Sequence, residues 1–288
     1  MSFATDSRLS ALDDVLDSVL EQASHRRGVL GRIADAVTGP PTPPDLESVS
    51  RDLFAVVDAL DGSASLRRIV TDPGTPERAR RDFVRGLLQH KVSDEAVEVV
   101  VQAVTLRWAG GRALTAALER QAVRAELLQA DQAGQIDDTE DELFRFARLV
   151  ESDADLRNAL GDRSVDRSHR KELVGRLLDG RATPATVVLA KRAVAARERS
   201  YGHTLEGYVT LAAAQKNRVI ATVRVARPLT DEQLQRLRAG LSRQVGRDVA
   251  LQVVVEPDLL GGVRVELGTE VIEGTVAGRL AEARKLFS

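Results

Sequence analysis

The sequence predicts a mainly α-helical protein, in which a duplicated helical bundle is followed by a small α/β C-terminal module. Three observations support this fold class. Apolar residues recur at helical spacing through the first 217 residues. The helical pattern returns after ninety positions. From residue 218 onward, apolar residues alternate with polar ones, as they do in half-buried strands.

An amphipathic helix is predicted over residues 8–36. Its apolar stripe consists of Leu9, Leu12, Val15, Leu16, Val19, Leu20 and Ala23. Four prolines follow within residues 40–44, and a proline ring removes a backbone donor that a helix interior needs. A loop or short linker is therefore expected there, and the next helix is predicted to begin near Asp45.

Residues 51–90 return as residues 141–180. The identical positions in the first copy, ten of forty without a gap, are Leu53, Phe54, Ala64, Leu66, Arg67, Asp72, Arg80, Val84, Leu87 and Leu88. Ser93 in one copy and Thr183 in the other are matching N-cap signals, and each opens an apolar helix. The sequence therefore predicts an internal duplication.

The duplication divides the chain into three predicted parts. Residues 1–130 form the N-terminal helical bundle with the first repeat, residues 131–217 the second helical repeat, and residues 218–288 the α/β C-terminal module. Two arrangements of the repeats stay open. They form separate bundles, or they interlock through a long helix near residues 114–150.

The C-terminal module is predicted to run β, α, β, β, short β, α. Residues 219–225, 249–255 and 263–267 alternate between apolar and polar positions, which is typical of strands. Thr230-Asp231-Glu232-Gln233 matches a capping box, so a helix is expected to start there. Glycines bracket a short strand over residues 270–273, and a final amphipathic helix follows.

Composition argues against several classes of function. The chain has 41 basic and 43 acidic residues, whereas proteins that bind nucleic acid are usually strongly basic on one face, so nucleic acid is not an expected partner. There is no cysteine, which excludes disulfides and thiolate metal sites and favours a reducing cytoplasm. We expect neither a signal peptide nor a membrane-spanning helix, because no apolar run reaches ~18 residues.

No catalytic constellation is recognisable either. The four histidines lie on separate predicted elements without partners at metal-ligand spacing; they are His25, His90, His169 and His203. The acidic run over residues 137–142 lacks the alternate spacing and the glycine of a calcium loop. The run is better explained as the start of a helix, where acidic side chains interact favourably with the positive end of the helix dipole. We therefore expect no enzymatic activity, no cofactor and no metal.

The most specific pattern lies near the C-terminus. Pro257-Asp258-Leu259-Leu260-Gly261-Gly262-Val263 leads into a strand, and Val271-Ile272-Glu273-Gly274-Thr275-Val276 precedes a helix with Arg279-Leu280. This pattern resembles the C-terminal region of the delta subunit of bacterial F-type ATP synthases, relatives of the mitochondrial oligomycin-sensitivity-conferring protein. Glu256, Glu273 and Thr275 replace the usual Asp, Asp and Ser of that family. The family has a single helical N-terminal domain, so the second copy departs from its pattern.

The resemblance implies a non-catalytic stator subunit. Members of the family form part of a peripheral stalk that links the α/β catalytic head to the membrane-anchored b subunits, so that rotation is coupled to ATP synthesis. It implies the α and b subunits as partners and a peripheral location on the cytoplasmic face of the cell membrane, held there by those partners. The rival interpretation is a free-standing helical-repeat adaptor, which the duplication favours but which leaves the C-terminal pattern unexplained.

The resemblance also implies two contact sites. In the family, an N-terminal helix of an α subunit lies between the first and fifth helices of the helical domain. The matching α-subunit groove here comprises Leu12, Leu16, Val19, Val97, Val100, Val101 and Val104. The four valines suit an ordinary helical core equally well. Contact with the b subunits is expected at Leu259, Leu260, Val276 and Leu280. Which repeat binds the α subunit stays open.

Overall fold

A computed structural model describes the chain over residues 3–34, 45–195, 200–216, 219–227, 229–246, 249–255, 262–267 and 270–275. It consists of two compact units, Met1–Lys216 and Asn217–Ser288. The first contains α1 (Phe3–Ala34), α2 (Leu46–Gly62), α3 (Ala64–Thr71), α4 (Glu77–Leu88), α5 (Asp94–Ala103), α6 (Gly111–Gln132), α7 (Ile136–Ser152), α8 (Ala154–Gly161), α9 (Arg167–Leu178), α10 (Pro184–Ala193) and α11 (Tyr201–Lys216). The second contains β1 (Val219–Val225), α12 (Asp231–Val245), β2 (Val249–Val255), β3 (Gly262–Leu267) and β4 (Glu270–Thr275). The predicted fold class, mainly α with a small C-terminal α/β part, is confirmed.

Five consecutive helices of the first unit occur twice. Helices α2 to α6 begin at residues 46, 64, 77, 94 and 111, and α7 to α11 each begin ninety residues later. Long-range contacts repeat as well. Asp52 Oδ2 accepts the backbone N–H of Ser93 at 2.7 Å, and Glu142 Oε2 accepts the backbone N–H of Thr183 at 2.8 Å. In both copies a carboxylate therefore satisfies a donor that the helix N-terminus leaves open.

The turn after α4 and α9 is also the same in both copies. His90 follows α4 with φ 63°, and its counterpart Gly180 follows α9 with φ 63°. Glycine adopts this left-handed conformation without steric cost, whereas a side chain with a Cβ is strained there. The backbone geometry of the turn has thus been kept although the first copy carries a less suitable residue.

Helix α6 belongs to both repeats. It packs against α2, α3 and α5 of the first repeat and against α7, α10 and α11 of the second. Its buried residues lie on all sides of the helix; they are Leu114, Thr115, Ala117, Leu118, Gln121, Ala122, Val123, Arg124, Ala125, Glu126, Leu127 and Ala130. One hydrophobic core consequently runs through both repeats. The repeats interlock through α6, which ends at Gln132 because the chain turns at Gly134 with φ 69° before α7 begins.

The C-terminal unit is a four-stranded sheet with one helix described. The strand order is β2-β1-β3-β4, in which β1 and β2 are parallel and the other two pairs are antiparallel. Helix α12 forms the crossover between the parallel strands. It starts with the capping box of Thr230 and Gln233 and ends at Gly246, which has φ 72°. The small core lies between α12 and the sheet; it includes Ala221, Val223, Val225, Leu241, Val249 and Val265. The predicted C-terminal helix lies outside the described residues.

A cluster of charged residues ties the second repeat to the first. Arg192 of α10 donates from Nη1 to Asp58 Oδ1 of α2 at 2.8 Å and from Nε to Glu119 Oε1 of α6 at 3.2 Å. The guanidinium carbon also lies 4.7 Å from the ring centroid of Phe54. Tyr208 of α11 donates its hydroxyl to the same Glu119 oxygen at 3.0 Å. Burial alone would lower the pKa of Arg192, but the charges of Glu119 and Asp58 outweigh it and raise the pKa.

Replacing Arg192 with Met is expected to lower the free energy of unfolding by about 2 kcal/mol. When one partner of a buried ion pair is lost, the remaining charge is left without water or a partner, which destabilises the fold. Asp58 is partly exposed, so the destabilisation is smaller than for a fully buried carboxylate. Urea denaturation followed by circular dichroism measures the change. The control is Gln102→Met at the counterpart position of the first repeat, where a change within about 0.5 kcal/mol is expected. Equal destabilisation by both variants would contradict the assignment of Arg192 to the junction of the repeats.

Candidate functional site: a cleft between α1 and α5

A cleft of about 670 Å³ opens between α1 and α5, with the end of α4 along one side. We call it the α1–α5 cleft. Its lining residues are Val15, Ser18, Val19, Gln22 and Ala23 from α1, Arg85 and Gln89 at the end of α4, and Asp94, Glu95, Val97, Glu98 and Gln102 from α5. The cleft thus combines apolar side chains of two helices with polar and charged side chains at its rim.

The amphipathic pattern of α1 creates one wall of the cleft. Leu12 and Leu16 are fully buried and hold α1 on the bundle core. Val15 and Val19 lie on the adjacent strip of the helix and line the cleft. Positions three and four residues apart share a face of a helix, so the apolar stripe is wide enough to serve both the core and the cleft.

The rim of the cleft is predominantly acidic. Asp94, Glu95 and Glu98 contribute three carboxylates, whereas Arg85 contributes one guanidinium. Arg85 Nη2 donates to Glu98 Oε2 at 2.8 Å, and Gln102 Nε2 donates to Glu98 Oε1 at 2.6 Å. These bonds fix the orientation of Glu98, although a pair this exposed adds little stability. The net negative rim favours a ligand with basic groups.

A polar network anchors α1, and hence the cleft wall, on α6. Asp13 accepts from Arg120 Nη2 at 2.8 Å and from Gln121 Nε2 at 2.7 Å. Arg124 donates to the Asp13 carbonyl at 3.1 Å and to Asp17 Oδ1 at 2.8 Å. The Arg124 side chain is only 5% exposed, so these partners replace the water that its charge has lost.

The structure places the predicted groove residues at two levels. Val19 and Val97 line the α1–α5 cleft. The other five lie beneath it in the hydrophobic core and are at most 3% exposed; they are Leu12, Leu16, Val100, Val101 and Val104. The first and fifth helices of the chain pack against each other, and most of the α5 valines lie in the core beneath the cleft. The predicted b-subunit residues, Leu259, Leu260, Val276 and Leu280, lie outside the described residues.

Sequence reasoning did not identify the polar rim of the cleft. Asp94, Glu98 and Gln102 are not among the predicted groove residues. These three residues follow at spacings of four, which places them on one side of α5. That spacing was the available signal, but only the position of α1 shows that the side faces a cleft.

The acidic run at the start of α7 is engaged in ion pairs. Lys216 Nζ lies 2.6 Å from Asp137 Oδ1 and 3.0 Å from Glu140 Oε2, and Asp141 pairs with Arg145. Among the described residues, no group of three or more His, Asp and Glu side chains could hold a metal ion. Within the part of the chain that the structure describes, no helix is both long enough and apolar enough to cross a bilayer.

Comparisons with known proteins point to one family. The model of the ATP synthase delta (OSCP) subunit family matches residues 123–287. A protein from Kineococcus radiotolerans named ATP synthase subunit delta is 45% identical over 242 residues, which is 84% of this chain and 88% of that protein. Proteins of the same name from a Parafrankia species and from Streptomyces avermitilis are 40% and 43% identical. The match to the Parafrankia protein covers 99% of both chains. The match to the Streptomyces avermitilis protein covers 87% of this chain and 92% of that relative.

Replacing Asp13 with Asn is expected to weaken the dependence of stability on pH. Burial alone would raise the pKa of Asp13, but the hydrogen bond from Arg120 and the charges of Arg124 and Arg120 hold it below its ordinary value of 3.8. An acid with a lowered folded-state pKa contributes stability that is present above the unfolded pKa and is lost as pH falls through the folded pKa. The variant should therefore be less stable at pH 7, by about 2 kcal/mol, and lose less stability below pH 4.

Urea denaturation between pH 7 and pH 3 measures this difference. Glu172→Gln, at an exposed position of α9, is the control and should keep the wild-type profile. An unchanged pH profile of the Asp13→Asn variant would show that Asp13 does not carry this dependence.

Proposed function

The chain belongs to the ATP synthase delta (OSCP) subunit family, and from this membership we propose that it links the α/β catalytic head of a proton-translocating F-type ATP synthase to the membrane-anchored b subunits. The delta subunit is a structural, non-catalytic subunit. In this role the chain is part of the peripheral stalk on the cytoplasmic face of the cell membrane and is attached to the membrane through its partners. It keeps the head from turning with the rotor, so that proton flow drives ATP synthesis.

The observation that carries the proposal is the α1–α5 cleft. An amphipathic helix binds to another protein by placing apolar residues at positions i, i+3, i+4 and i+7 in a groove. Val15, Val19 and Val97 supply an apolar floor for such residues. The position between the first and fifth helices is where the resemblance places the N-terminal helix of an α subunit.

The chemistry of the cleft also suits a structural contact. Its lining offers valines and carboxylates, which provide affinity and orientation for a helix. A stator contact must survive repeated torque, and nanomolar affinity corresponds to about -12 kcal/mol. Interfaces of ~800 Å² per partner reach this value when a few anchors are well buried. A helix that runs along α1 and α5 and covers the cleft provides such an interface.

The C-terminal unit is proposed to bind the b subunits. The contact residues that the resemblance implies, around Leu259 and Val276, follow β2 and β4 in sequence. Assigning the two contacts to different units separates head binding from stalk binding. Each can then be removed without the other.

Replacing Val15 with Lys is expected to weaken the binding of a synthetic peptide, the N-terminal helix of the α subunit of the same organism, by about tenfold or more. A charged side chain on the apolar floor removes a hydrophobic contact and repels basic residues of the peptide, and tenfold corresponds to about 1.4 kcal/mol. Fluorescence anisotropy measures the affinity. Val165→Lys places the same substitution at an exposed site between α8 and α9 and should not change it. Equal affinities of both variants would place the peptide elsewhere.

Affinity purification of the tagged chain from membranes solubilised in mild detergent tests the whole proposal. The full chain should recover α, β and b subunits in a complex that hydrolyses ATP. A chain that ends at residue 256 should recover α and β subunits without b, because the helical unit stays intact and the predicted b contacts are removed. Recovery of none of these subunits by the full chain would overturn the stator function and favour the adaptor.

A further inference from the structure

One face of helix α2 in the first repeat is covered by the second repeat. Phe54 and Asp58 lie one turn apart on this face, and Phe54 is 8% exposed. The guanidinium carbon of Arg192 lies 4.7 Å from the ring centroid of Phe54. Asp58 Oδ1 lies 2.8 Å from Arg192 Nη1 and 3.7 Å from Arg167 Nη1. Two arginines of the second repeat therefore cover an aromatic ring and a carboxylate of the first.

The counterpart face of the second repeat is not covered in this way. It consists of Phe144 and Arg148 on α7 and Val209 on α11, and we call these three residues the open face. Phe144 is 53% exposed, and Arg148 is exposed as well. Among the described residues, none forms an ion pair with Arg148 and none places a cation over the ring of Phe144.

The two copies of this face differ in charge. In the first repeat, Asp58 and Glu119 both accept hydrogen bonds from Arg192. In the second repeat, Arg148 stands at the position of Asp58, and Val209 stands at the position of Glu119. Val209 packs partly against the core, so this side of the open face is apolar. The acidic face of the first repeat meets arginines, and the basic, apolar face of the second repeat is suited to an acidic partner.

Exposed apolar area is concentrated on the same helix. Phe144 and Leu149, at 53% and 50%, have the greatest exposed fractions among the large apolar side chains that the structure describes, and both belong to α7. Aromatic residues are enriched in the energetically important parts of protein interfaces because they bury a large area with few rotatable bonds. The open face thus has the composition of a protein-binding surface.

We propose that the open face binds an acidic helix of another subunit of the ATP synthase, in addition to the two contacts described under the proposed function. The partner places an apolar side chain against Phe144. It places a carboxylate, three or four residues away on the same side of its helix, against Arg148. Burial of the aromatic ring supplies most of the affinity, because an exposed ion pair by itself contributes little. This inference rests on the proposed function, since the partner belongs to that complex.

Photo-cross-linking in the assembled complex tests this inference. The full tagged chain carries Phe144→p-benzoylphenylalanine, the complex is purified in mild detergent and irradiated, and mass spectrometry identifies the cross-linked peptide. The expected product joins residue 144 to a segment of another subunit that has Asp or Glu within about four residues of the attachment point. The matched control is Phe83→p-benzoylphenylalanine, at an aromatic residue of α4 that is 40% exposed, and it should not give this product.

Charge reversal tests the role of Arg148. Arg148→Glu, added to the cross-linking chain, should lower the yield of the product by about fivefold or more. Arg145→Glu, at an exposed arginine of the same helix that pairs with Asp141, should leave the yield within about twofold. Replacement of the partner's carboxylate with Lys should restore the yield in the Arg148→Glu chain.

Two results would overturn the inference and leave the stator function intact. One is recovery of α, β and b subunits without a cross-link from residue 144 to another subunit, which includes a product confined to copies of this chain. The other is a yield that Arg148→Glu does not change. Failure of the unmodified chain to recover those subunits is a different result, and it would overturn the proposed function itself.

Discussion

The burial of α6 on all sides over residues 121–127 is the constraint on which the helical unit depends. Over residues 121–127, which are all buried, this shared helix has no face for water, so its polar side chains there need partners in the surrounding helices. Each partner comes from a different element. Gln121 donates to Asp13 of α1, Glu126 accepts from Ser50 of α2, and Glu119 accepts from α10 and α11. Burial raises the pKa of Glu126, and the Ser50 hydrogen bond only partly offsets this effect. The surrounding helices must therefore be correctly assembled before the buried polar side chains of α6 have their hydrogen-bond partners.

Sharing a helix joins the two repeats into one compact unit. Helix α2 of the first repeat packs along α6, and its residues Phe54 and Asp58 contact Arg192 at the end of α10. The same arrangement produces a continuous core across both repeats, which suits a subunit proposed to resist torque. The shared helix is thus the structural origin of the single core.

Local signals made much of this fold predictable. The repeat, the capping box at Thr230 and the alternating strands depend on residues close together in sequence, and the structure contains each of them. The contacts that hold the cleft wall and join the two repeats are of another kind. Asp13 and Arg120 are 107 residues apart, and Asp58 and Arg192 are 134 residues apart. Such pairs arise from packing, and single-sequence periodicity shows only that each residue is polar at its position. The valines of α5 were identified from a resemblance, and burial then separated Val97 at the cleft from the others in the core.

The differences between the two copies carry information that their identities do not. Arg80 and Arg170 are identical counterparts, and both donate to backbone carbonyls inside their own repeat, a requirement of each copy by itself. Phe54 is also retained as Phe144, yet Phe54 is buried at the junction with the second repeat and Phe144 is 53% exposed. An identical residue can therefore have different roles, because the first repeat has a successor and the second does not. Gln102 and Arg192 are counterparts that differ in this way: Gln102 lines the α1–α5 cleft and donates to Glu98, whereas Arg192 is buried and joins the second repeat to α2 and α6.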